Sequence, residues 1–366
     1  MSLTNFAALT SSQKLVWSRE LWQQARDLAF ISKFTGGTDA VIQRITELTK
    51  TEKGEKVIMH LLADLVEDGV VGDNQREGFE EEMKTYNDTV TVDMISHGLR
   101  QKGKLAEQKT VVGFRENAKE RLAYWLANRM DQLAFLTLSG INYSFNNDGS
   151  TRTSGAFASL AFNTQTAPST NRGRRWDGVN SVLVAQNTAG MLATDVLTYK
   201  AIVDTVVYAK THYIKPLNVG GKEYYVCFCR PEALAQLKKD ADYQRAVVTG
   251  ADRGKDNPFF SGGVLTVDGL VFHEHRLVYN TKGAASGSKW GAAGTIDGSR
   301  MLVCGAQALG FADLGAPEWS EKWFEYESSP GINVDKMFGF LKPKFYSIYD
   351  KSVEDFGVLT IDHAIL

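Results

Sequence analysis

Three cysteines, six histidines and 43 carboxylates are the side chains of this 366-residue sequence from which metal, nucleophilic or acid–base chemistry is built. Cys227 and Cys229 stand two apart in an apolar run, so in a strand both thiols face one side. Zinc needs a second pair or a nearby His; without one, these read as small buried hydrophobes. His273 and His275 share a strand face with Glu274 opposite, and they hold a metal only if further ligands converge, so a half-exposed polar face is the simpler reading. Glu80, Glu81 and Glu82 lack the alternating spacing and following Gly of a calcium loop. Lys289, in Gly-Ser-Lys-Trp, has the lysine of a phosphate loop without its cradle; nucleophile-elbow, dinucleotide and HExxH patterns are absent. Arg172, Arg174 and Arg175 beside Trp176 have the types that contact phosphate and stack on a base, but a solvated loop with an Arg over a ring is the favoured reading. No catalytic set, cofactor or metal is expected. A soluble α/β enzyme or binding protein with a site invisible in sequence is kept as the alternative.

Composition sets the outer limits. At roughly 150 residues per domain the length suggests two or three lobes. Forty-one bases against 43 acids give a net charge of −2, so no global field holds nucleic acid or an anionic membrane, and any such contact must be local. An odd, sparse cysteine set suits a reducing compartment. No apolar stretch reaches a membrane-spanning length, and the first 30 residues lack a signal-peptide core, so synthesis in cytosol is expected.

The elements that must position these side chains alternate in character. Ser11 and Ser12 precede a stripe of Leu21, Trp22, Ala25, Leu28 and Ala29, which predicts an amphipathic helix ending near Gly36-Gly37. Val57, Met59 and Leu61, then Val90, Val92 and Met94, alternate with polar residues and predict two half-buried strands. Between them, residues 64 to 85 carry eight acids (Asp64, Glu67, Asp68, Asp73, Glu77, Glu80, Glu81, Glu82) and two bases, a local charge of −6. Residues 100 to 121 follow at +4, with Arg100, Lys102, Lys104, Lys109 and Arg115 leading the basic set. The two blocks either neutralise each other within one hairpin or meet across copies of the chain. Residues 114 to 138 form the strongest helical pattern, with Ala118, Leu122, Trp125, Leu126, Leu133 and Leu136 within about 100° of arc and Glu116, Glu120, Tyr124 and Asp131 opposite. Arg129 projects from the apolar stripe and calls for a carboxylate partner or a route to solvent along its stem. Residues 141 to 178 read as polar and irregular, 194 to 210 as a helix capped by Thr194, and Pro231 opens another helix. Asp268-Gly269 predicts a type I′ hairpin, 283 to 294 a flexible insertion, and the end of the chain aromatic and β-branched strands.

This order, on Leu-Ala-Asp-Leu-Val-Glu-Asp-Gly (62–69) with Thr-Val-Thr-Val-Asp-Met (89–94), the helix closed by Leu138-Ser139-Gly140, and the final Gly-Phe-Leu-Lys-Pro-Lys-Phe-Tyr and Phe-Gly-Val-Leu-Thr-Ile runs, resembles the major capsid proteins of tailed phages, in particular those of N4-like phages. The resemblance covers most of the chain and implies an α+β Hong Kong 97-type capsid fold: an N-terminal arm (1–52), an extended β-hairpin loop (53–108), a peripheral domain (109–189) with a spine helix (114–138), an axial domain (190–310), and C-terminal strands (311–366) returning to the peripheral domain. It further implies a homo-oligomer of pentamers and hexamers forming an icosahedral shell around double-stranded DNA in the virion, assembled in the bacterial host cytoplasm. Scaffold, portal and decoration proteins are the other implied partners, contact with DNA is weak and general, no membrane is involved, and the −6 loop lies over an adjacent subunit.

Overall fold

The computed structural model describes residues 11–46, 56–62, 65, 68–78, 80–81, 85–103, 114–163, 166–250, 265–326 and 328–365. Asp64, Glu67, Glu82, Lys104 and Lys109 therefore lie outside the described residues.

The chain is organised around two sheets and the helix between them. In the six-stranded sheet the central element is the long strand Ser329–Leu341. Glu318–Phe324 runs antiparallel along one edge and Asp93–Arg100 along the other; Leu309–Asp313 pairs with its last residues and carries Ile42–Ile45 and Thr35–Gly36 beyond. Alternation turns Ile332, Val334, Lys336, Phe338 and Phe340 to the buried side. Phe114–Ser139 packs there, with Leu122, Leu126, Leu133 and Phe135 in the same core, and Ser11–Leu28 lies alongside it through Leu21, Trp22 and Ala25. Leu28, expected in that stripe, is 55% exposed, because the helix ends there and the chain turns into the short 3-10 segment Ile31–Phe34.

The central strands of the eight-stranded sheet, Lys222–Cys229 from Tyr225 on, Gly298–Cys304 and Val358–Ala364, are buried on both faces and are rich in apolar residues on both. Tyr225, Cys227, Met301, Val303, Leu359 and Ile361 meet the helices Tyr199–Thr211 and Pro231–Lys239, while Val226, Phe228, Leu302 and Val358 join the spine-helix core. Thr198, not Thr194, caps the first of these helices, accepting from the Ala201 N–H, while the Val196 backbone forms a β-bridge to Ala364. The predicted 268–269 turn joins Leu265–Val267 to Leu270–Glu274, with φ of 48° at Asp268 and 84° at Gly269.

Two sequence expectations are corrected. The segment containing Arg172 to Trp176 is not a solvated loop: Gly173–Asp177 is a strand of the eight-stranded sheet, paired with Val358–Ala364, with Arg172 and Trp176 buried. Residues 283 to 294 are not a loose insertion but hydrogen-bonded turns closed by Gly287 N–H to Gly294 O at 2.9 Å and by a Lys289–Asp297 ion pair at 2.7 Å. The 311–366 segment divides between the sheets, its last strand lying beside Gly298–Cys304 in the larger one.

Candidate inter-subunit surfaces

Lys56–Leu62 and Thr85–Thr91 form a two-stranded hairpin of their own, registered from Lys56 opposite Thr91 to Leu62 opposite Thr85. Val57, Met59, Leu61 and Val90 make its buried face, as their spacing predicts. The predicted second run breaks after Thr91: Val92 is half-buried between strands and Met94, in the next strand, is 46% exposed. Past the hairpin the chain turns through left-handed Gly69, Gly72 and Gly78, around which a Cβ would meet nothing within 4 Å. Asp68, Asp73, Glu77 and Glu80 are exposed there, Glu81 is half-exposed, and Leu65 and Val71 stand out at 67% and 79% exposure. None of Asp68, Asp73, Glu77 and Glu80 pairs with a cation of the described residues; Glu80 instead accepts the Gly78 N–H at 2.7 Å.

The basic block finds its partners elsewhere. Arg100 pairs with Glu325, donates to Ser329 Oγ at 3.1 Å and lies 4.5 Å over the Phe324 ring. Arg115 binds both oxygens of Glu321, at 3.0 and 2.9 Å. Both acids sit at the Glu318–Phe324 strand, not in the acidic loop, so neutralisation within one hairpin is not how these arginines are satisfied. Lys102 is exposed.

Along the spine helix Leu122, Leu126 and Leu133 are buried as expected, and Trp125 is half-buried, stacked at 4.6 Å on His97 of the neighbouring strand. Arg129 forms no ion pair with a carboxylate of the described residues; its guanidinium donates to Gln132 Oε1 one turn on. Asp131, which the helical pattern places on the outward side, is buried because the turn leaving the N-terminal helix covers it. Its oxygens accept the Phe30 and Ile31 N–H groups at 2.9 and 3.0 Å, and desolvation raises its pKa to about 6 against the pull of those bonds and of Lys33.

Sequence reasoning missed the buried ion pairs. Lys336 pairs with Asp313 while its ammonium sits 4.0 Å over Trp22, and Arg44 shares that carboxylate. Lys342 meets Asp355 at 2.8 Å with both side chains fully buried, and Arg300 grips Asp362 through two nitrogens at 2.7 and 3.0 Å. The only signal was a lysine at an inward position of an alternating apolar run. His273 and His275 do not converge on further ligands; they pack against Phe30, Phe34 and Phe135, and burial lowers the His275 pKa to about 4. Burial also pushes the Cys229 thiol up to about 12. Among the described residues no three potential metal ligands cluster, and no helix is long and apolar enough to cross a membrane.

The whole sequence from residue 5 to 366 matches the family described as phage capsid protein. The chain belongs to that family. The major capsid protein of Pseudomonas phage KPP25 is 51% identical over 364 residues, spanning 98% of this chain and 96% of that one. The capsid of Ralstonia phage GP4 superposes with a TM-score of 0.76 at 28% identity, over 92% of this chain and 91% of that chain. The capsid subunit of cyanophage Pam1, at 19% identity, shares the fold with a TM-score of 0.71 over 99% of both chains. The capsid protein thus has the α+β Hong Kong 97-type fold and is the major shell subunit of a phage virion, working as an oligomer.

Proposed function

We propose that copies of this chain form pentamers and hexamers that tile an icosahedral shell around double-stranded DNA, each subunit reaching an adjacent one with its acidic loop. The supporting observation is the loop itself: a hairpin leading to Asp68, Asp73, Glu77 and Glu80, which are exposed and form no ion pair among the described residues. Exposed acids of one sign repel one another within a subunit, whereas a complementary surface on the next copy gives orientation and register. The chain acts as structure, not as a catalyst. The N-terminal helix serves as the arm, the six-stranded sheet with the spine as the peripheral domain, and 190–310 as the axial domain. Scaffold, portal and decoration proteins are its other partners, contact with packaged DNA is weak and general at a net charge of −2, and assembly takes place in the host cytoplasm. Imaging the purified protein tests this: capsomers and closed particles are expected from the full chain, and deletion of 64–85 leaves a folded subunit that does not assemble. Unchanged assembly after the deletion refutes the role of the loop.

A further inference from the structure

Arg129, in mid-spine, and Arg152, from the turn that follows the helix, converge on one neutral acceptor. Both donate to Gln132 Oε1, Arg152 from 3.5 Å. Arg152 also donates from Nε to the Phe145 carbonyl at 3.0 Å and lies 5.0 Å over the Phe157 ring. No carboxylate of the described residues forms an ion pair with either guanidinium. Asp148 is the acid whose charge is felt by Arg152, and its Oδ1 is engaged by the Ser150 N–H and hydroxyl. Burial lowers both pKa values, and the Arg129 charge adds to that effect on Arg152, which comes down to about 10.

Among the described residues, acids of the same chain pair with most of the other half-buried or buried arginines, Glu321 with Arg115, Asp195 with Arg175, Glu232 with Arg230 and Asp362 with Arg300, while Arg174 is held by the Tyr208 hydroxyl and Asn171 Oδ1. A pair of like charges left on a shared neutral oxygen is destabilised by mutual repulsion and gains most from an anion brought from outside. The adjoining helix face is suited to receive one, since Arg121, Trp125, Asn128 and Gln132 follow at helical spacing, and the Trp125–His97 stack gives it a flat apolar centre.

We propose that the Arg129–Arg152 pair is the receptor for the acidic loop tip of a second copy, whose Asp73, Glu77 and Glu80 carboxylates complete it. This rests on the shell-subunit reading and sharpens it: the docking point moves from the Arg100 and Arg115 region, where both arginines already hold acids of their own chain, to the middle of the spine. The occupant follows from charge complementarity, because Asp73, Glu77 and Glu80 are exposed and form no ion pair with a cation of the described residues. A seven-residue strand pair spans about 20 Å, enough to carry the tip onto a neighbour.

Charge reversal tests the pairing. Arg129→Glu with Arg152→Glu, and separately Asp73→Lys with Glu77→Lys and Glu80→Lys, are each expected to keep the circular dichroism spectrum and melting point of the wild type and to lose particle formation; combining all five restores particles. Should the wild type assemble and the arginine variant assemble equally well, or the combined variant do no better than its parents, the pairing is overturned while the shell reading stands. If the wild type forms no particles, the shell reading falls and the pairing with it. Should a reversal variant misfold, Glu77→Cys together with Arg152→Cys gives an independent readout, because the natural cysteines are buried. Mild oxidation is expected to link subunits into disulfide-bonded ladders, and exclusively monomeric chains refute the contact.

Discussion

Replacing Asp131 by Asn isolates the contact that ties the N-terminal helix to the spine. The carboxylate is buried, takes two backbone N–H bonds and titrates near pH 6, where an unfolded Asp titrates near 3.9. Because the folded pKa lies above the unfolded one, the folded state holds this proton more tightly. The stability this provides is complete below about pH 3.9 and is lost as pH rises through 6. A shift of about two units is worth about 3 kcal/mol. At about 2.1 cal/mol/K of unfolding entropy per residue over 366 residues, that corresponds to about 4 °C in melting temperature. The carboxamide imitates the protonated acid and cannot ionise, so Asp131→Asn matches the wild type near pH 4 and becomes more stable than it near pH 7. Melting both proteins by circular dichroism from pH 4 to 7 and subtracting the curves cancels every other titrating group. A difference that grows by about 4 °C with rising pH is expected; a flat or shrinking difference refutes the reasoning.

The remaining predictions concern the core. Lys342→Met strands the Asp355 carboxylate in a fully buried site and should lower stability by about 3–5 kcal/mol in urea unfolding, with part of the loss regained in Lys342→Met/Asp355→Leu. Leu126→Ala, at a fully buried spine position, should cost about 2–5 kcal/mol in the same assay without changing secondary structure. Gly298→Ala would place a Cβ 1.8 Å from the Trp290 ring and is expected to lower the melting temperature and to move the tryptophan fluorescence.

Where order along the chain decides structure, the sequence was readable. The spine helix, the alternating strand from Lys56 and the Asp268-Gly269 turn depend on neighbours a few residues away, and each forms as its spacing predicts. The departures share a cause in distance. Arg172 looked solvated among polar neighbours, yet its Nε donates to the Asp355 carbonyl 183 residues on, and the returning strand Val358–Ala364 makes its segment a buried one. Asp131 sits on the polar side of its own helix and is covered by a turn 100 residues earlier. Arg300 finds Asp362 only because their strands are paired. For the surface, the −6 block was legible, but its complement was not: whether Arg100 and Arg115 are free depends on Glu325 and Glu321, which only the folded sheet brings near.

Cryo-electron microscopy of particles assembled from the purified full-length chain tests the central claim most directly. Hexamers and pentamers in which the 64–85 tip of each subunit lies on the spine helix of its neighbour are predicted; a closed shell in which every tip folds back on its own subunit, or a chain that stays monomeric, contradicts it.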